Sequence, residues 1–247
     1  MIGADDRRYR IRSGRVLVSG VDDARDRLTE TCMSRTLSEA ASSELLGARG
    51  IPVNSHRLVD DAEAALSAAG ELGYPVVAKL CGEAIAHKTE RGLVRVDLRT
   101  PADVRVAASE LLASARPDDG AVHLLVAPFV SGHRELLAGL HRDGQFGMTV
   151  MLGVGGILAE AIADVSVRLV PISRVDADEM VEELATQSLL GPFRGEPAVD
   201  RGELAELLVR LSDASLADPG IRGADLNPIV ITAGRPLAVD ALVEVDT

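Results

Sequence analysis

Tyr74-Pro75-Val76-Val77-Ala78-Lys79-Leu80 is a compact apolar run with one lysine near its end. Its length and branched side chains predict a buried strand. An ammonium group in such surroundings is costly unless an anion compensates it. Lys79 therefore either snorkels to the surface or meets an anion, and His87-Lys88-Thr89 follows at short range. Lys79 and Lys88 are the two lysines of a chain that writes its other 24 basic residues as Arg. Codon bias accounts for the arginines but not for both lysines falling in one segment.

Working outward, Asp60–Leu72 carries Ala64, Ala65, Leu66, Ala68 and Ala69 and stops at Gly73, which predicts a helix before the strand. Ser38-Glu39-Ala40-Ala41 ahead of Leu45 and Leu46 predicts a capped helix, and Ile51-Pro52-Val53 a short strand. Residues 1–34 show little periodicity, beyond a short strand at Arg15–Ser19, and are expected to form a poorly ordered or edge-docked extension. Downstream, strands are expected at 92–98, 122–130, 135–141, 148–152, 223–231 and 236–245, and helices at 102–115, 176–187 and 202–217. Ile157–Ala163 continues from a glycine-rich segment. Hairpins sit beside helices, so the expectation is an α+β fold rather than a doubly wound one.

At 247 residues the chain has length for one large domain or two small ones. Its formal charge of 26 − 38 = −12 argues against a nucleic-acid partner held by phosphate contacts. Tyr9, Tyr74, Phe129, Phe146 and Phe193 are the five aromatics, too few for base-stacking platforms. Cys32 and Cys81 form no metal pattern. No apolar run reaches the roughly 18–20 residues of a membrane span, and the first residues lack the apolar core of a signal peptide. The expectation is a cytoplasmic protein without membrane partners.

Three further constellations carry possible chemistry. Gly153-Val154-Gly155-Gly156 either cradles a phosphate with unobstructed N–H groups or makes a tight turn. Asp225-Leu226-Asn227-Pro228 and Asp240 fall on adjacent strands. Alternation puts Asp225 and Asn227 on one face with Asp240 within reach, so they are either turn-making strand ends or oxygen ligands suited to Mg²⁺. Glu160 and Asp164, at i and i+4, face either a site or solvent. No GxSxG, HExxH or Walker A sequence is present.

Taken in order, these segments resemble the ATP-grasp subunit of NDP-forming acyl-CoA synthetases, the beta type of the ADP-forming acetate–CoA ligases. The matching pieces are Gly73–Lys79, Ala86-His87-Lys88-Thr89, Pro128–Val130 with Gly132 and Glu135, and Phe146-Gly147. They continue through Gly153–Gly156 with Glu160 and Asp164, Arg168–Pro171, Gly191–Gly195, Asp225–Pro228 and Ala238-Val239-Asp240. The resemblance covers about Ser38 to the C-terminus. It implies an ATP-grasp fold, two α+β lobes clamping a nucleotide, with an N-terminal lobe at 35–130 and a C-terminal lobe at 131–247.

By the same resemblance Lys79 would bind ATP phosphates, Glu135 would help hold the nucleoside, and Gly155 and Gly156 would line the nucleotide site. Asn227 and Asp240 would hold Mg²⁺, with Asp225 as a helper. His87 would be a phosphohistidine exchanging phosphate with a partner CoA-binding subunit of alpha type in a hetero-oligomer, and Lys88 would stabilise the phosphoryl group. The implied activity converts acid, CoA and ATP to acyl-CoA, ADP and phosphate. Glu90-Arg91-Gly92-Leu93-Val94 departs from the family's Asp-x-Gly-Gly-Val by losing one glycine and adding an arginine. That departure motivates one alternative, a non-catalytic ATP-binding module; a further alternative is an ATP-grasp carboxylate–amine ligase, in which the His-Lys-Thr segment would have no duty.

Overall fold

The computed structural model describes residues 9–12, 15–18, 34–85, 88, 91–156 and 162–247. His87, Glu160 and most of the expected 157–163 segment lie outside them, as does most of 1–34. Within that last stretch β1 (Tyr9–Arg12) pairs antiparallel with β2 (Arg15–Val18).

A four-stranded antiparallel sheet holds β4 (Arg57–Val59), β7 (His123–Pro128), β5 (Val76–Cys81) and β6 (Val94–Leu98) in that order. Helices α2 (Ala62–Leu72) and α3 (Pro101–Ala113) cover one face. Both start where the sequence supplies caps: the Asp61 side chain accepts from the Ala64 N–H at 2.8 Å, and Thr100 and Asp103 form a reciprocal capping box. Alternation along β5 sends Val76, Ala78 and Leu80 into the core under these helices. Val77 and Cys81 point the other way, against Leu125, Ala127 and Ala40. All six residues of β5 are buried, Lys79 among them.

The second sheet runs β10 (Val165–Leu169), β9 (Gly147–Val154), β8 (Glu135–Asp143), β11 (Ile221–Thr232), β13 (Ala241–Asp246) and β3 (Ser34–Thr36), with β12 (Arg235–Ala238) paired to β11. Its core is closed by α1 (Glu39–Ala48), α4 (Arg174–Glu183) and α5 (Arg201–Ala217) through Leu46, Met180, Val181, Leu204, Leu208 and Leu211. The strand pairings within both sheets are antiparallel, so the α+β expectation holds against the doubly wound one.

Two expectations change. The resemblance puts residues 35–53 in the N-terminal lobe, yet β3 pairs with β13 and Leu46 and Ile51 sit in the core of the large sheet. Apolar residues of α1 decide this, because they find their buried partners there. The single strand expected at 236–245 is two strands. Strand β11 pairs with β13 up to Leu226 and with β12 from Ile229, and the chain steps from one to the other through Val239-Asp240. Strands β1, β3, β4 and β10 fall outside the expected set, β3 and β4 with three residues each being too short for a period-2 pattern to show, and the strand expected at Ile51–Val53 is a single bridge from Val53 to Ala238.

Arg91 forms a bidentate pair with Asp119, at 2.7 and 2.9 Å. The arginine that departs from the family pattern thus ties the β5–β6 connection to the turn ahead of β7. Hydrogen bonds from Arg91 and from the Arg116 N–H hold the Asp119 carboxyl at about 2, below its ordinary 3.8. A depressed carboxylate stabilises the fold above its unfolded value and loses that contribution as pH falls toward the folded one. Asp119→Asn is therefore expected to unfold at lower urea concentration than wild type at pH 6. The gap should close between about pH 4 and pH 2, read from urea midpoints across that range.

Candidate functional site

The large sheet carries its helices on one face, and the other face holds the polar residues singled out above. Leu226 and Ile229 point into the core, while Asp225 and Asn227 are exposed on the open face, as alternation requires. At Asn227-Pro228 the pairing of β11 with β8 shifts register. Opposite this irregularity lies the β12–β13 step, held by the Val239 N–H donating to the Pro228 carbonyl at 3.1 Å. Two interrupted strands thus face each other and leave the Asp240 carboxyl free of the ladder.

From the small sheet Lys79 reaches across to this step. Its Nζ donates to the Val239 carbonyl at 3.0 Å and to Glu39 Oε1 at 2.6 Å, and lies 3.8 Å from Asp240 Oδ2. Lys88 Nζ lies 2.7 Å from Glu39 Oε2 and 3.8 Å from Asp240 Oδ1. Glu39, Lys79 and Lys88 are 3%, 6% and 6% exposed, so four charges of zero net sum share one largely dry site. The anion that Lys79 was expected to need is there, and it belongs to the protein.

Burial on its own would raise the Glu39 carboxyl, but the Lys79 and Lys88 ammonium groups outweigh it and hold Glu39 below the ordinary range. Burial would lower Lys88, and the Glu39 and Asp240 charges reverse that. Asp240 is different: burial raises it, Lys79 pulls against that rise, and the Glu39 charge adds to it. Asp225 keeps solvent contact, yet protein crowded around its carboxyl, with Asp240 nearby, pushes it up to about 6. Two carboxylates held above their ordinary range, with Asn227 two positions from Asp225 on the same strand, are residue types that would suit a divalent cation. Asp240 Oδ1 is buried and has no hydrogen-bond partner among the described residues, which fits a group still owed a ligand.

Glu135 begins β8, where it pairs with Val230 of β11, three positions from Asn227. Gly155 and Gly156 lie against it. The Gly155 N–H donates to the Glu135 carbonyl at 2.8 Å, and a Cβ there would meet the Leu136 carbonyl oxygen at 2.8 Å. A Cβ on Gly156, whose φ is +79°, would sit 3.1 Å from Glu135 Oε2. Gly155 is therefore a close-approach glycine whose N–H is already used, not a phosphate cradle, and Gly153 lies inside β9. Asp164 accepts from the N–H groups of Ala185 and Thr186 at 2.9 and 2.7 Å, a structural duty.

The structure thus brings Lys79, Lys88 and Asp240 together, sets Asp225 near Asp240 with Asn227 exposed on the same strand, and groups Glu135 with Gly155 and Gly156. Sequence reasoning missed Glu39, which looked like an ordinary first-turn acid behind the Ser38 cap. It also missed Arg134, 2% exposed, whose guanidinium reaches Glu196 and the carbonyls of Gly191 and Pro197 at 2.9 and 2.7 Å and so fixes the Gly191–Gly195 loop.

This fold and cluster define a protein of the ATP-grasp type. The ATP-grasp domain model matches residues 29–245, and the chain belongs to that family. It is 36% identical over 211 residues to the beta subunit of acetate–CoA ligase [ADP-forming] I of Pyrococcus furiosus, covering 84% of this chain and 91% of that one. It is 34% identical over 198 residues to 4-hydroxybutyrate–CoA ligase [ADP-forming] of Nitrosopumilus maritimus, covering 79% of this chain and 28% of that longer one. Among solved structures it is similar to the dinucleotide-forming acetyl-coenzyme A synthetase 1 of Ca. Korarchaeum cryptofilum in complex with coenzyme A and Mg-AMPPCP, its phosphohistidine segment pointing towards the nucleotide-binding site. That likeness has a TM-score of 0.73 and 35% identity, and covers 85% of this chain and 93% of that one. Among the described residues no helix is long and apolar enough to cross a membrane.

Proposed function

We propose that this chain is the nucleotide-handling half of an ADP-forming acid–CoA ligase, working with an alpha-type CoA-binding subunit that lies on another chain. One observation carries the reading: Lys79 of the small sheet and Lys88 of its β5–β6 connection meet Asp240 in a buried, charge-balanced cluster, with Asp225 near that carboxylate and Asn227 on the same open face of β11. ATP phosphates entering between the sheets would find the Lys79 and Lys88 ammonium groups, while Glu135 at the start of β8 would hold the nucleoside. Asn227, Asp240 and Asp225 would hold Mg²⁺, which when bound would offset charge on the phosphates.

His87, next to Lys88, is assigned as the nucleophile. Its neutral imidazole nitrogen forms the N–P bond as the bond from phosphorus to the ADP oxygen breaks, and Lys88 stabilises the charge on the phosphoryl oxygens. The phosphoryl group then passes to a histidine of the partner, where acid and CoA are joined. The alpha-type partner is supported by the relative that is itself a beta subunit.

Mixing the chain with the CoA-binding subunit from its source should give ADP release that depends on acid, CoA and Mg-ATP together. His87→Ala should abolish it. Full turnover by that variant would remove the histidine relay, and tight ATP binding with no turnover in the wild-type complex would favour a non-catalytic module.

A further inference from the structure

Glu39 has no role in the reading above, yet it is the most deeply placed charge of the cluster. It stands at the first position of α1, whose later turns are anchored in the large-sheet core by Leu46, so its carboxylate is fixed by the fold rather than by the lysines. Its two oxygens divide the two ammonium groups between them, Oε1 to Lys79 at 2.6 Å and Oε2 to Lys88 at 2.7 Å. Asp240, carrying the same charge, is reached by both lysines only at 3.8 Å. Asp240 Oδ1 and Glu39 Oε2 are both buried without a hydrogen bond among the described residues, but Lys88 Nζ lies 2.7 Å from the Glu39 oxygen and 3.8 Å from the Asp240 one. Two cations next to two anions have therefore settled unequally, and the anion left short is the expected metal ligand.

We propose that Glu39 is a positioning residue which holds Lys79 and Lys88 away from Asp240, keeping that carboxylate available to a divalent cation. This rests on Asp240 serving the metal of the bound nucleotide. Among the described residues, Asp240 is the carboxylate left within ion-pair range of the two ammonium groups once Glu39 is gone, and in a dry site they close on it. The metal must then displace two lysines to bind. With Glu39 in place the lysines stay where phosphate oxygens can reach them, and Asp240 faces the metal unencumbered. A single carboxylate thereby sets both halves of the site: the cations for the phosphates and the anion for the metal.

The test is Mn²⁺ binding to the full chain, followed by electron paramagnetic resonance in the presence of the non-hydrolysable analogue AMPPCP, with thermal unfolding measured in parallel. Glu39→Gln should weaken Mn²⁺ affinity about tenfold, and Glu39→Gln combined with Lys88→Gln should regain most of it, because one competing ammonium is gone. Equal affinity in Glu39→Gln and wild type would overturn the clamp. So would a loss that the double variant fails to restore, which is what a merely structural role gives. If Glu39→Gln does not fold, Glu39→Asp carries the test: it keeps the charge one methylene short, and a severalfold loss is expected, whereas wild-type affinity overturns the proposal. A wild-type chain that takes up no Mn²⁺ with the analogue would remove the nucleotide reading itself, an outcome distinct from failure of the clamp alone.

Discussion

Lys79→Met is expected to lower kcat/KM for Mg-ATP in the complete ligase by about 10²–10³-fold, the scale seen when one preorganised charge on a reacting group is removed. Methionine fills the strand position with similar volume, so β5 keeps its packing against β6 and β7. What disappears is the ammonium that joins Glu39 Oε1, the Val239 carbonyl and, at longer range, Asp240. Glu39 retains Lys88, so the stability cost should stay at or below about 3 kcal/mol, the low end for breaking a buried pair. Steady-state kinetics with the partner subunit, alongside urea unfolding, separate the two effects. A variant with wild-type kcat/KM would show that the lysine serves only the fold.

Asp240→Asn should behave in the opposite sense for stability. Asp240 Oδ1 has no hydrogen bond to lose among the described residues, and both lysines are held more closely by Glu39 than by Asp240. Removing a half-compensated charge from a dry site should leave the melting temperature unchanged or higher, while activity falls about 10²-fold or more for want of a carboxylate at the metal. Gained stability with lost activity is the signature of a group kept for function at the expense of the fold. A large drop in melting temperature would mean instead that Asp240 is a structural partner of the lysines.

Most strands and helices could be read from periodicity, and the lone lysine of an apolar strand pointed to the site without help from the fold. That Asp240 lies within reach of Asp225 could also be read, since alternation and the turn put them on adjacent strands. Glu39 could not. An acid in the first turn of a capped helix has a sufficient local reason to be there, and nothing nearby shows that the turn is buried against a sheet some forty residues downstream. The split between β12 and β13 was hidden for a related reason. Pro236–Val245 alternates acceptably as one strand, and only the pairing of β11 with two successive partners reveals the step at Val239-Asp240. Gly155 reads differently in the fold: its permissiveness suggested a phosphate cradle, whereas its close approach to the Leu136 carbonyl and its N–H bond to Glu135 explain it.

We propose that this chain takes a phosphoryl group from ATP onto His87, the residue that precedes Lys88 in the sequence. The direct measurement is incorporation of acid-labile phosphate into the chain, incubated with Mg-ATP labelled at the γ-phosphate in the presence of the CoA-binding subunit, and located by peptide mass spectrometry. Label is expected on His87, absent from His87→Ala and much reduced in Lys79→Met. Label confined to another residue, or turnover of the wild-type complex with no phosphate ever on this chain, would contradict it.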